Sequence, residues 1–416
     1  MNFWQRYRRL IIILAIIIII AIVLLVISRP KPTETPGTIP GQTTEEGGKL
    51  PSASEGEGQI ASETPIYVFP ESEETINPDL PVSEIANPIA SGGLTVVQQI
   101  YDANVIGASL SSDGQSLRYY DEESGFFYRL DANGNLQKLS SKKFYDVETV
   151  YWADNSNKAV LEYPDGSNIL YNFTTGKQVT LPKHWESFEF STDETQLVMK
   201  SIGSDSDNRW LIIANEDGSG AKGLEFIGTR SDYVVPSWSP NNETIAMYTK
   251  GKDADSQEVF FVGKNDENFK SIVVDGYGFQ SQWSPSGDKL LYSVYSTSES
   301  VKPTLWIVDA QGDNIGSNRQ NLNLETWADK CTFANDNRYV YCAVPTNLQT
   351  GAGLFPELAE TSSDLIYRID INTGVKKLIA TPDTFSTVED LMITKNQDSL
   401  YYTDNVSEGI YKIDLK

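Results

Sequence analysis

The chain holds one histidine, His184, and two cysteines, Cys331 and Cys342. A Ser-His-Asp relay would have to use His184, which stands beside Trp185 in a loop, and no Gly-x-Ser-x-Gly elbow offers it a serine. One imidazole and two thiols cannot build a four-ligand Cys/His zinc set, so no metal-ligating residues and no cofactor are expected from them, while calcium stays open on so acidic a chain. Acidic side chains abound, with 57 Asp and Glu against 33 Lys and Arg, and paired carboxylates acting on a glycosidic bond stay open as an alternative.

The cysteines bracket the segment Cys331-Thr-Phe-Ala-Asn-Asp-Asn-Arg-Tyr-Val-Tyr-Cys342. A four-residue turn at 335–338 pairs 334 with 339 and therefore 331 with 342. Directly opposed cysteines form a disulfide in an oxidising compartment; two reduced, buried thiols are the other reading. A further set is aromatic: Tyr101, Tyr145, Trp185, Tyr233, Tyr277, Phe279, Trp327 and Phe385 recur in corresponding loops. Gathered at one opening they would suit sugar rings or peptide side chains; spread out, they would wedge neighbouring units apart.

A repeat must position these residues. Between 110 and 393 one phrase recurs seven times: an apolar anchor, a polar turn, then an apolar strand. The anchors are Leu110, Trp152, Phe190, Trp238, Trp283, Phe333 and Ile393. Three residues on stand Asp113, Asn155, Asp193, Asn241, Ser286, Asp336 and Asn396, side chains that bond their own backbone in tight turns. Seven on stand Leu117, Ala159, Leu197, Ile245, Leu290, Val340 and Leu400, and two further Tyr119, Leu161, Met199, Met247, Tyr292, Cys342 and Tyr402. Such alternation predicts half-buried strands. Each unit adds a third strand and a short fourth, and four antiparallel strands per repeat predict an all-β, seven-bladed β-propeller over 93–416. Segment 95–100 is expected to close the seventh blade, removing an exposed edge.

Trp-Ser-Pro followed by a polar turn, an apolar strand and a later Asp-x-x-Gly turn, as around Trp238 and Trp283, resembles the WD40-like (PD40) repeats of TolB-type propellers. The blades are also similar to the propeller domain of dipeptidyl peptidase IV and prolyl oligopeptidase relatives. The resemblance implies a fold; with no hydrolase domain before Lys416, peptidase chemistry is not expected to follow.

Residues 10–28 are an uncharged run rich in Ile and Leu, close to the ~20 that span a bilayer core, and no Ala-x-Ala-like cleavage site follows. They predict an uncleaved transmembrane helix. Arg6, Arg8 and Arg9 mark residues 1–9 as a cytoplasmic basic N-terminus and place the propeller extracytoplasmically, as a single-pass cell-membrane protein. Residues 29–92, rich in Pro, Thr, Ser and Glu, predict a disordered tether.

The net charge is −24; with +3 before the apolar run and −8 on the tether, −19 remains on the propeller. Nucleic acid is excluded as a partner, since phosphate binding needs Lys and Arg. If each anchor strand runs downward, the interblade loops and the second-to-third-strand loops share one upper face. The insertions 203–208, 250–257, 296–303 and 345–363 gather there. Two functions are expected: a membrane-anchored binding or scaffold module for a protein, peptide or cell-envelope glycan, or an extracytoplasmic hydrolase or lyase acting on carbohydrate or peptide in the channel.

Overall fold

The computed structural model describes residues 85–416 apart from Asp266, Asn268 and Asn405. The apolar run at 10–28 and the tether up to 84 lie outside the described residues. Among the described residues no helix is long and apolar enough to cross a membrane.

Seven antiparallel four-stranded units form the described structure, each a blade, making an all-β, seven-bladed propeller. The first strands, Val105–Leu110, Thr149–Trp152, Trp185–Phe190, Val234–Pro236, Tyr277–Trp283, Cys331–Phe333 and Met392–Ile393, are the innermost of their blades, and those of blades 1 to 4 and of blades 6 and 7 touch in succession. The seventh blade takes its outer strand from the other end of the chain: Gln98–Tyr101 pairs antiparallel with Ile410–Asp414. The closing strand thus begins three residues later than the expected 95–100 and ends one residue later. Leu94–Thr95 goes instead to the sixth blade, pairing parallel with Lys376–Pro382 as a fifth strand. Upstream, Asn87 N–H donates to Leu94 O, Ala90 N–H to Asp414 O and Gly92 N–H to Ile379 O, so a strap from the far end of the predicted tether is pinned to blades 6 and 7.

The repeat columns explain the packing. Every residue seven or nine positions after an anchor is at most 2 % exposed. Those side chains fill seven apolar clusters, one at each junction between neighbouring blades. Radial packing therefore buries both faces of sheets that alone would bury one. In blade 6 the register is Cys331 opposite Cys342, Thr332 opposite Tyr341 and Phe333 opposite Val340, with Ala334 N–H donating to Tyr339 O. The two cysteines are joined in a disulfide inside the cluster between blades 5 and 6.

On the lower face the tight turns close a second ring. Six of the seven place a residue with positive φ four positions after the anchor: Gly114, Glu194, Asn242, Gly287, Asn337 and Gln397. Each junction is crossed by a hydrogen bond. Arg118, fully buried in blade 1, donates to Ser156 O and Ala153 O of blade 2, both at 2.8 Å. Ser156 Oγ donates to Glu194 Oε2 at 2.5 Å, Thr192 Oγ1 to Pro240 O at 3.4 Å and Asn241 Nδ2 to Gly287 O at 3.0 Å. Asn337 Nδ2 donates to Asp288 Oδ1 at 3.3 Å and Gln397 Nε2 to Asp336 Oδ2 at 2.9 Å. Lys395 N–H donates to Gly114 O at 2.8 Å, completing the circle. The turn at Ser156, which lacks a left-handed residue, is held from both sides by Arg118 and Glu194.

Candidate functional site

The upper ends of the inner strands leave a cavity of about 480 Å³ at the mouth of the channel. Blade 1 contributes Val105 to Gly107, blade 5 Gln280, the approach to blade 6 Trp327, Asp329 and Lys330, and the approach to blade 7 Thr387 to Asp390. Insertion 345–363 supplies the remaining wall through the 3-10 helix Pro356–Thr361. It packs Leu348, Ala352 and Ala359 on Trp327, and its Gly351 and Gly353 N–H groups donate to Ser300 O and Val301 O of blade 5. A Cβ at Gly353 would lie 2.4 Å from Tyr295 Cβ, so only glycine allows this approach. Opposite, Gly107 sits at φ 62° in a bulge of the first inner strand and accepts from Trp152 Nε1 at 2.7 Å. The bulge re-aims the strand at the cavity edge.

The cavity is acidic. Burial raises the carboxyls of Asp329, Glu389 and Asp390 above their ordinary range; repulsion adds to this, from Asp390 and Asp329 at Glu389 and from Asp329 at Asp390. Their surfaces are open to water in the bore, yet protein encloses them, and enclosure sets the direction. Lys330 does not neutralise them freely. Its Nζ lies 2.7 Å from Oδ2 of the fully buried Asp364, which also accepts from Val388 N–H at 2.7 Å. Asp404 holds the adjoining backbone by accepting from Thr387 N–H at 2.7 Å and Oγ1 at 2.9 Å. Deeper in blade 3, enclosure pushes Glu189 up to about 8, helped by Asp154. Among the described residues no group of three or more His, Cys, Asp and Glu side chains is set to hold a metal.

The eight predicted aromatics are not gathered at this mouth. Trp327 alone lines it, and it is buried beneath the insertion. Trp185 is 5 % exposed in the core between blades 2 and 3, and Phe279 packs on Tyr292 with ring centres 5.6 Å apart. Tyr101 donates to Asp121 Oδ2 at 2.6 Å and leans on Tyr119, while Tyr277 donates to Asp253 O. Tyr145, Tyr233 and Phe385 are exposed. His184 is exposed too, its ring 6.4 Å from that of Trp185, and it does not line the cavity.

Sequence reasoning passed over Asp329 and Glu389, although a signal existed. Four residues before each anchor stand Ile106, Glu148, Glu186, Val234, Phe279, Asp329 and Glu389, a column acidic in four of its seven places. Reading it would have marked the upper ends of the inner strands as charged.

The fold and mouth define the class: a seven-bladed β-propeller with an acidic channel opening. Among the solved structures that share the architecture are two propellers. An oligogalacturonate lyase in complex with manganese superposes with a TM-score of 0.51 at 13% identity, covering 77% of this chain and 93% of its own. The β-propeller domain of Myceliophteria thermophila Cps50 (Swd1) superposes at 0.50 and 11% identity, covering 77% and 100%. At such identities the likeness is one of fold alone. No family model matches the chain, and no curated protein sequence matches it.

Proposed function

We propose that the protein is a membrane-anchored, extracytoplasmic binding module whose channel mouth captures a basic segment of a partner protein or peptide. One observation carries the reading: Asp329, Glu389 and Asp390 share a single cavity whose one lysine, Lys330, is held by the buried Asp364. A Lys or Arg side chain entering there would favour the charged forms that burial disfavours, and would relieve the repulsion that adds to burial at Glu389 and Asp390. A glycan finds less support, because the aromatics that would stack on sugars are packed between blades or scattered. An acidic mouth is also a poor host for a polyanion such as an oligogalacturonate.

The same carboxyls support a second reading. Two enclosed acids on one cavity are the equipment of acid–base hydrolysis or elimination, with no role for the distant His184. Titrating the full chain with fluorescent Lys-rich, Asp-rich and neutral oligosaccharide probes separates the two. The binding reading expects saturable, salt-sensitive capture of the basic probe, weakened at least tenfold in Asp329→Asn/Asp390→Asn. Equal affinity for acidic and basic probes would sink it, and turnover of an oligosaccharide would establish the second. The anchor and its orientation rest on residues 1–28, and protease added to intact cells should release the propeller.

A further inference from the structure

A second cavity, of about 380 Å³, opens on the flank between blades 3 and 4, away from the mouth. Its walls combine aromatic and aliphatic side chains with four charged ones, Glu225, Arg230, Lys250 and Glu267. Phe226, on the outer strand Lys222–Phe226 of blade 3, is 43 % exposed, and it faces Tyr248 and Phe260 of blade 4, whose rings stack with centres 5.7 Å apart. At the upper end stand Arg230, in the interblade 3-10 helix Gly228–Tyr233, and Lys250, where the strand Thr244–Gly251 approaches its upper loop. The Arg230 guanidinium lies 5.3 Å from the Tyr248 ring centre and donates to Phe226 O. No ion pair among the described residues engages Arg230 or Lys250, although Glu225 and Glu267 also line the cavity. Arg230 and Lys250 thus stand above the aromatic cleft without an ion-pair partner, in a wall that Glu225 and Glu267 share and with Glu258 opposite Lys250 across the strands.

The backbone beside the cleft adds an independent observation. The third strand of blade 4, Gln257–Gly263, meets its outer neighbour Ile272–Val274 only at Gln257, Glu258 and Val259. Past that point, Phe260 to Val262 have no strand partner on their outer edge among the described residues. An open edge beside an apolar pocket is the arrangement that recognises an extended chain: main-chain bonds supply affinity, and the pocket selects a side chain.

We propose that this flank is a docking site for an extended peptide segment of a partner protein, in which an apolar side chain fills the cleft between Phe226, Tyr248 and Phe260 and a neighbouring Asp or Glu pairs with Arg230 and Lys250. The required charge is opposite to that favoured at the mouth, so the sites take different segments.

The test uses the full chain and a fluorescein-labelled, amidated pentapeptide of sequence Ser-Asp-Leu-Phe-Thr, followed by anisotropy. Saturable binding is expected, weakened tenfold or more when Lys replaces Asp in the peptide, when Arg230→Glu/Lys250→Glu is introduced, or in Phe226→Ala. All three positions are exposed, so the variants should keep the parent melting temperature. The Arg230→Glu/Lys250→Glu protein should in turn prefer the Lys peptide, and Asp329→Asn/Asp390→Asn at the mouth should leave the affinity unchanged. The proposal is overturned by failure to saturate at millimolar protein, by indifference to the charge reversal, by equal loss in the mouth variant, or by N-acetylphenylalanine competing as well as the unlabelled peptide, which would mark a small-carboxylate site.

Discussion

On the lower face all seven blade junctions are crossed by hydrogen bonds from the tight turns, and a buried arginine ends on two backbone carbonyls. On the upper face the corresponding positions hold carboxyls that burial and mutual repulsion push toward their neutral forms. Both faces are built from loops of the same seven repeats. The lower turns are short and bond across the junctions, so most of their polar groups find partners within the protein, the buried Gln115 Nε2, Arg118 Nε and Asn157 Oδ1 excepted; the upper loops are longer and varied, and among the described residues no ion pair neutralises Asp329, Glu389 or Asp390 there. Satisfied polarity contributes to stability, whereas enclosed, unneutralised charge costs stability and is available for binding.

The contrast is sharpened by separating upper-loop residues that pack in the core from those that stay outside it. Trp185 should govern stability, because it belongs to the core between blades 2 and 3 and not to the open surface. Trp185→Ala is expected to cost about 3–5 kcal/mol in urea unfolding, while exposed Tyr233→Ala costs under about 0.5 kcal/mol. Equal effects would mean that exposure does not separate core from surface in these loops.

Arg118→Met tests the lower ring, since it leaves the buried carbonyl of Ala153 and the part-buried carbonyl of Ser156 without their donor. A loss of about 3 kcal/mol is expected, with probe binding per folded molecule at the mouth intact. A loss under about 1 kcal/mol would show the ring to be incidental.

Cys331→Ala/Cys342→Ala should follow at about 2–3 kcal/mol, because the disulfide closes a short loop of sequence separation 11. Mass mapping of unreduced protein should find the pair linked, and two freely alkylated thiols would contradict it.

The smallest effect sharpens the upper half of the comparison. Neighbouring protein raises the Glu189 carboxyl from an ordinary 4.5 to about 8, but its side chain is exposed and solvent screening keeps the energetic consequence small. The folded state therefore holds more protons than the unfolded one between those values, and stability falls as pH rises through that window. Glu189→Gln should raise the melting temperature at pH 8 and change it little at pH 5. The same rise at both pH values would assign the effect to packing.

Much of the fold was legible because its determinants are local. The columns seven and nine residues past each anchor follow the two-residue period of a strand, and a tight turn carries that period into the cross-strand register that sets Cys331 against Cys342. Tertiary structure decided what distant repeats do to one another. Asp329 and Glu389 occupy one column with Glu148 and Glu186, yet only the first two line the mouth cavity, because insertion 345–363 walls that sector alone. The aromatic positions were equally regular in sequence, but blade packing buried Trp185 and left Tyr233 outside. Strand period and turn chemistry act between neighbours along the chain, so sequence determined the blades; enclosure, repulsion and the pairing of charges act through space, so only the closed ring determined the sites.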